Sequence, residues 1–119
     1  MGYLGKGERD ARLAKLKRIM EAKALHLALG AHAQKVPVSS TKPFTGHLLG
    51  AAGATEAIFS VISLQKNMIP ENLNLETPDP ECRLNIVTGS SKKQDLKVVL
   101  SNSFGFGGSN SAMLFKKFE

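Results

Sequence analysis

The sequence predicts an α/β chain: half of a layered unit in which a strand, a long helix and a pair of strands follow one another. Three observations lead there. Hydrophobic residues make up 42% of the 119 positions, enough to bury a core. A stretch over residues 46–65 is nearly free of charge, with Glu56 as its one charged residue, so it reads as a helix enclosed on most sides. Two runs, "KVVLSNS" and "SAMLFK", each holding a short apolar stretch, flank a glycine-rich turn near the end, as a pair of adjacent strands would.

The elements follow in order. Residues 1–10 are loose and polar. From 10 to 29, Leu13, Leu16, Met20, Ala24 and Leu27 recur at helical spacing between charges, and Gly30 closes that helix. "KVPVSS" offers a short strand over residues 36–39. Thr45 then caps a helix over 46–65, with His47 in its first turn. Gly50 and Gly53 each cost that helix about 1 kcal/mol relative to Ala, which close packing against a neighbouring backbone would offset. "NMIPENLNLETPDPEC" is punctuated by Pro70, Pro78 and Pro80 and reads as a long connection. "RLNIV" is a brief strand, "SSKKQD" a polar turn, and the two C-terminal strands cover Lys97 to Ser103 and Ser111 to Lys116.

Composition narrows the functional classes. One cysteine allows neither an internal disulfide nor a zinc site of several thiolates. Aromatics are sparse and Trp is absent, so a stacking surface for single-stranded nucleic acid is not expected. No apolar run reaches the 18 or so residues of a membrane span, and "MGYLGKGERD" lacks both the apolar middle of a signal peptide and the hydroxyl residue of a myristoylation site. The net charge of +6 is unevenly spread. Residues 1–45 carry nine Lys/Arg against three acids, whereas 46–119 carry seven of each. The basic head suits an acidic protein partner or a solvated helix face better than nucleic acid.

Two places carry chemistry. "STKPFTGHLLGAAGA" sets Lys42 and His47 at the mouth of the Gly/Ala helix. At the positive end of a helix macrodipole, a neutral imidazole can donate a hydrogen bond to a carbonyl oxygen that is becoming an enolate. Lys42 would orient that ring or add positive potential. The second place, "FGFGGSN", is no dinucleotide fingerprint, because Asn110 stands where the third glycine belongs and a strand follows in place of a helix. A hairpin turn is the plain alternative. Phenylalanines set between glycines suit a gating or oxyanion-type loop better.

"VSSTKPFTGHLLGAAGATEAIFS" together with "LSNSFGFGGSNSAM" resembles the C-terminal region of the elongating β-ketoacyl-acyl-carrier-protein synthases, the condensing enzymes of fatty-acid synthesis, which have a thiolase-like fold. On these motifs the resemblance covers about residues 31–119, with 1–30 as a basic helical head outside it. It implies that His47 is the second of two catalytic histidines, bonding the malonyl thioester carbonyl, with Lys42 beside it and Glu56 as the acid that partners the lysine. It implies that Phe106 supplies an oxyanion-hole N–H and a gating ring. Phe104, Gly105, Gly107, Gly108 and Asn110 would belong to the same loop. No cofactor is expected, since substrates arrive on the phosphopantetheine of acyl carrier protein. Pro43 stands where the family more often has a small residue.

The resemblance also shows what these 119 residues lack. Nothing matches the family's D-T-A-C-S nucleophile motif or its H-G-T-x-T-x-x-G-D histidine motif. Cys82 lies in "PDPECRLN", a connection without a helix start to favour thiolate. His26 reads as a helix-face residue and His32 as a non-catalytic position. The expectation is therefore a partial synthase that is inactive alone and needs the missing half or an intact synthase, in a family that is typically homodimeric. Alternatives are a non-catalytic module that binds carrier protein or dimerises with a paralogue, or a gene remnant. A bacterial cytoplasm is the expected location, with mitochondrion or plastid as alternatives.

Overall fold

The computed structural model describes residues 19–105 and 107–118. Leu13 and Leu16 of the predicted first stripe lie outside them. The helical elements are α1 (residues 19–29), α2 (Lys42–Thr45) and α3 (Ala52–Lys66), with 3₁₀ turns at Gly30–Gln34 and Leu49–Ala51. The strands are β1 (Pro37–Val38), β2 (Met68–Ile69), β3 (Asn85–Ile86), β4 (Lys92–Lys93), β5 (Val98–Phe104) and β6 (Asn110–Lys116). They group into two compact units. Among the described residues, one takes in those up to Val38 together with Glu76–Ile86, and the other takes in Ser39–Leu75 and those from Val87 onward.

In the first unit, α1 ends where Gly30 turns to φ 56°, a left-handed conformation that glycine adopts without strain. The face it buries differs from the one the sequence predicts. Ile19, Ala22, Leu25 and His26 are buried or half-buried, whereas Met20, Ala24 and Leu27 are exposed. Both sets have helical spacing. Ala22, 1% exposed, is the most enclosed residue of the buried stripe. β1 and β3 pair in parallel, Pro37 opposite Asn85 and Val38 opposite Ile86, and the Asn85 Nδ2–H reinforces them by donating to the Lys35 carbonyl at 3.2 Å. Cys82 is buried in this unit, its N–H donating to the Asp79 carbonyl at 2.9 Å.

The second unit is built on α3 and the β5–β6 hairpin. The hairpin is antiparallel over seven residues a side, from Val98 opposite Lys116 to Phe104 opposite Asn110. Its length and place agree with the sequence. Alternation sends Val99 and Phe115, directly opposite one another, onto a core of Leu64, Ile69, Val87 and Leu96. Gly53 lies where an added Cβ would touch Ser103 Oγ at 3.9 Å, so the first turn of α3 sits beside the loop end of the hairpin.

Two predicted connections hold structure. Within "NMIPENLN" and "SSKKQD", Met68–Ile69 and Lys92–Lys93 form the antiparallel pair β2–β4. A two-residue strand has too little pattern of its own to be read locally, and only its distant partner defines it.

The long predicted helix is also shorter than its composition suggests. It begins at Ala52, and the residues from 42 to 51 are split between one α turn, a link and a 3₁₀ turn. Thr45 is therefore no N-cap. It ends α2, with its Oγ1–H facing the Thr41 carbonyl at 3.4 Å and the Gly46 carbonyl at 3.0 Å. The break comes from Gly46, at φ 73° and ψ −178°, a region open essentially to glycine alone, and from Leu49 at φ 51°. α3 buries one stripe through Ser60 and Leu64. Ile58, Val61 and Ile62 on its other side stay exposed.

Candidate active site

The candidate residues that the structure brings together come from one stretch of the second unit. α2 is a single turn, entered at Thr41 without a side-chain cap and closed by the Gly46 N–H donating to the Lys42 carbonyl at 2.8 Å. That turn presents Lys42, whose Nζ forms an ion pair with Glu56 Oε1 on α3. The carboxylate is the more enclosed partner, its side chain 17% exposed against 43% for the lysine. Water reaches the pair from the lysine side, so its main effect is to orient Lys42; its contribution to stability is about 1 kcal/mol or less. A shallow groove beside the pair is lined by Thr45, Gly46, Leu48, Thr55, Glu56 and Phe59.

His47 lies in the link between α2 and the 3₁₀ turn, and not in the first turn of a helix. Its exposed ring is set by a different device from the expected macrodipole. The Leu49 N–H donates to His47 Nδ1 at 3.0 Å. An Nδ1 that accepts a hydrogen bond bears no hydrogen, which assigns the ring proton to Nε2. The group that faces outward is thus a donor, the form that the chemistry of an incipient enolate requires. The unusual backbone on either side serves this bond. Gly46 turns the chain out of α2, and Leu49 adopts the left-handed region although the residue is 72% exposed and gains little packing there. The sequence signal available for this was "GHLLG" itself, where glycines bracket the histidine. A continuous helical pattern hid it.

The glycine-rich segment is the turn of the β5–β6 hairpin, as its plain reading held. Phe104 and Asn110 are its last paired residues, and Phe104 is half exposed. The Gly105 N–H donates to the Ser109 carbonyl at 2.7 Å and closes the loop. A Cβ on Gly105 would stand 2.9 Å from that same carbonyl oxygen, so no other residue fits without moving the backbone. Gly107 and Gly108 both hold φ near +90°, at 87° and 88°. Phe106, the expected oxyanion donor and gate, lies outside the described residues.

The remaining candidates lie in the first unit. His26 bonds through Nε2 to the Arg83 carbonyl at 3.0 Å, and His32 is exposed in the 3₁₀ turn. Among the described residues, no group of three His, Cys, Asp or Glu is placed to hold a metal ion, and no helix is long and apolar enough to cross a membrane.

Comparison with known proteins gives this geometry a context. The chain is 48% identical over 101 residues to 3-oxoacyl-[acyl-carrier-protein] synthase 2 of Synechocystis sp., covering 85% of this chain and 24% of the relative. The enzyme of the same name from Coxiella burnetii is 45% identical over 98 residues, again with 24% of its length covered. The chain therefore spans about a quarter of the length of the curated relatives it matches. Among solved structures, a type II polyketide synthase ketosynthase, in complex with its acyl carrier protein and bound to the hexaketide, superposes with a TM-score of 0.80 at 31% identity, covering 83% of this chain and 24% of that one. A beta-ketoacyl synthase from Burkholderia phymatum gives a TM-score of 0.68 at 38% identity, covering 71% of this chain and 21% of that one. The thiolase-like fold expected from the motifs is thus the fold observed. The family model for the beta-ketoacyl synthase C-terminal domain matches residues 14–76. The match takes in part of the segment that the motifs left outside the resemblance. With more than half of its residues inside that match, the chain belongs to the beta-ketoacyl synthase C-terminal domain family.

Proposed function

We propose that the chain is the C-terminal part of a 3-oxoacyl-acyl-carrier-protein synthase and supplies the decarboxylating half of its site. In that reaction a cysteine from the remainder of the enzyme takes the acyl group from its carrier thioester. Malonyl-carrier protein then enters. His47 donates its Nε2–H to the thioester carbonyl, together with the first histidine from the remainder. The bond to the carboxylate breaks, carbon dioxide leaves, and the electron pair becomes an enolate held by these donors. The resulting carbanion attacks the acyl-cysteine carbonyl, and the thiolate departs. Lys42, oriented by Glu56, adds positive potential, and Phe106 contributes to the oxyanion hole beside the cysteine.

The observation that carries this reading is the Leu49 N–H on His47 Nδ1, which leaves Nε2–H as the outward donor. Acyl carrier protein is the partner, in keeping with the relative solved with its carrier and with the positive excess over residues 1–45. The substrates ride on its phosphopantetheine, no further cofactor is needed, and a bacterial cytoplasm suits the whole enzyme. Alone, the 119 residues should not condense anything, having no match to the nucleophile motif.

The test mixes the purified chain with a separate polypeptide carrying the cysteine and first histidine of a homologous synthase, and follows release of carbon dioxide from malonyl-carrier protein. Activity is expected in the mixture and not in either part. His47→Ala should lower it by about 100-fold or more, the usual cost of removing one oxyanion donor. Turnover by the chain alone, or an unaffected His47→Ala mixture, would refute the proposal. A second reading, a non-catalytic module that binds carrier protein or pairs with an intact synthase, is favoured by the apolar side that α3 leaves open. Carrier binding with no turnover in any mixture would select it.

A further inference from the structure

Asn72 lies outside every motif that carries the family resemblance, yet it uses both ends of its side-chain amide on the approach to the site. Its Oδ1 accepts the Ser40 N–H at 2.9 Å, and its Nδ2–H donates to the Val87 carbonyl at 3.1 Å. The Asn72 backbone N–H donates to that same carbonyl at 2.8 Å. One residue earlier in the approach, Ser39 Oγ–H donates to the Pro70 carbonyl at 2.5 Å. Val87 belongs to the buried core, as does Ile69 beside Pro70. The segment entering α2 is therefore anchored to the core at two successive residues, Ser39 through its own hydroxyl and Ser40 through the Asn72 amide. The partners fix which way that amide points, because the Ser40 N–H can only donate and the Val87 carbonyl can only accept.

The anchor matters because α2 cannot hold itself. It has four residues and no side-chain cap, and a single helical turn is unstable in isolation. Beyond it, the chain passes through the unusual conformations at Gly46 and Leu49 that aim an N–H at His47. If the entry end of this segment were loose, Lys42 and His47 would move with it. We propose that Asn72 is a positioning residue for Lys42 and His47, acting through Ser40. Its relevance to catalysis rests on the proposed function; its action on His47 does not.

The experiment reads His47 directly. Diethyl pyrocarbonate acylates histidine at a free nitrogen lone pair, and mass spectrometry of the full chain reports each site separately. His26 and His32, in the other unit, serve as internal references. In the wild type, His47 has Nδ1 engaged and Nε2 protonated, so its labelling should be slow. In Asn72→Ala it should rise several-fold relative to both references, with helical circular dichroism retained. Asn72→Asp keeps the acceptor for Ser40 and loses the donor to Val87, so its ratio should fall between the two; it also carries the test if the alanine variant does not fold. An unchanged ratio in a folded variant overturns the proposal. So does an equal rise at all three histidines, which would mean that Asn72 holds the fold and not the site. In the two-polypeptide mixture, Asn72→Ala should lower kcat for decarboxylation more than it raises KM. If the wild-type mixture is inactive while the labelling responds as stated, the enzymatic reading fails and the tether stands.

Discussion

At the scale of single residues, backbone conformation around His47 does more than side-chain packing. Gly46 occupies a region of φ and ψ that a Cβ makes costly, and nothing lies within 4 Å of where that Cβ would be. The penalty for Gly46→Ala is therefore conformational and not a clash. Residues forced into such regions cost about 1–3 kcal/mol, and urea denaturation should show a loss in that range. Sequence reading named Lys42, His47 and Glu56, and the structure joins Lys42 to Glu56 and sets His47 in the same stretch. What it missed was how His47 is held. Gly, Ala and Leu from 48 to 54 fit a helical period whether or not the chain is helical, and a lone left-handed leucine leaves no trace in composition. The hydrogen bond to Nδ1 comes from a backbone group, which no residue type announces.

Among the elements, the end of α3 is a junction of the second unit. Asn67 adopts φ 52° just past Lys66 and so terminates the helix. Its Oδ1 then accepts the Leu96 N–H at 3.1 Å and Lys117 Nζ at 2.6 Å, while its backbone carbonyl accepts the Gln94 N–H at 3.0 Å. One side chain thus ties helix, strand connection and C-terminal segment together. Asn67→Ala loses two hydrogen-bond partners and adds left-handed strain, an expected cost of about 2–4 kcal/mol in chemical denaturation. Asn67→Gly keeps the conformation and should cost about half as much. The hairpin was legible because two short apolar runs around a cluster of glycines are a local signal. β2 and β4 were not, because four residues pairing at a distance carry no period.

For the whole molecule, the telling quantity is apolar surface left in water. Ile58, Val61 and Ile62 on α3, and Val98, Leu100 and Leu114 on the hairpin, are all 40% exposed or more. The nearly charge-free helix was expected to be enclosed on most sides, and among the described residues it is enclosed on one. A helix apolar around its circumference is built for cover on both sides, and the relatives are about four times longer than the part matched here. The isolated chain should therefore self-associate. Replacing Ile62 with Lys should shift its sedimentation toward smaller species while leaving the melting temperature within a few degrees, since surface changes of this kind alter stability by about 0.5 kcal/mol. A monomeric wild-type chain in the ultracentrifuge would contradict the expectation.

The ion pair between Lys42 and Glu56 joins positions only 14 apart, and the bond that orients His47 spans two. Loops this short close on the timescale of tens of nanoseconds and at small entropic cost. These local contacts can thus form early, whereas the entry end of the segment waits for Asn72, 32 positions beyond Ser40. The reactive groups also travel together: residues 41–60 moved onto another scaffold would bring lysine, imidazole and carboxylate as one cassette. What would stay behind is Asn72, so a host that offers no amide in its place should receive the right residues on a loose hinge.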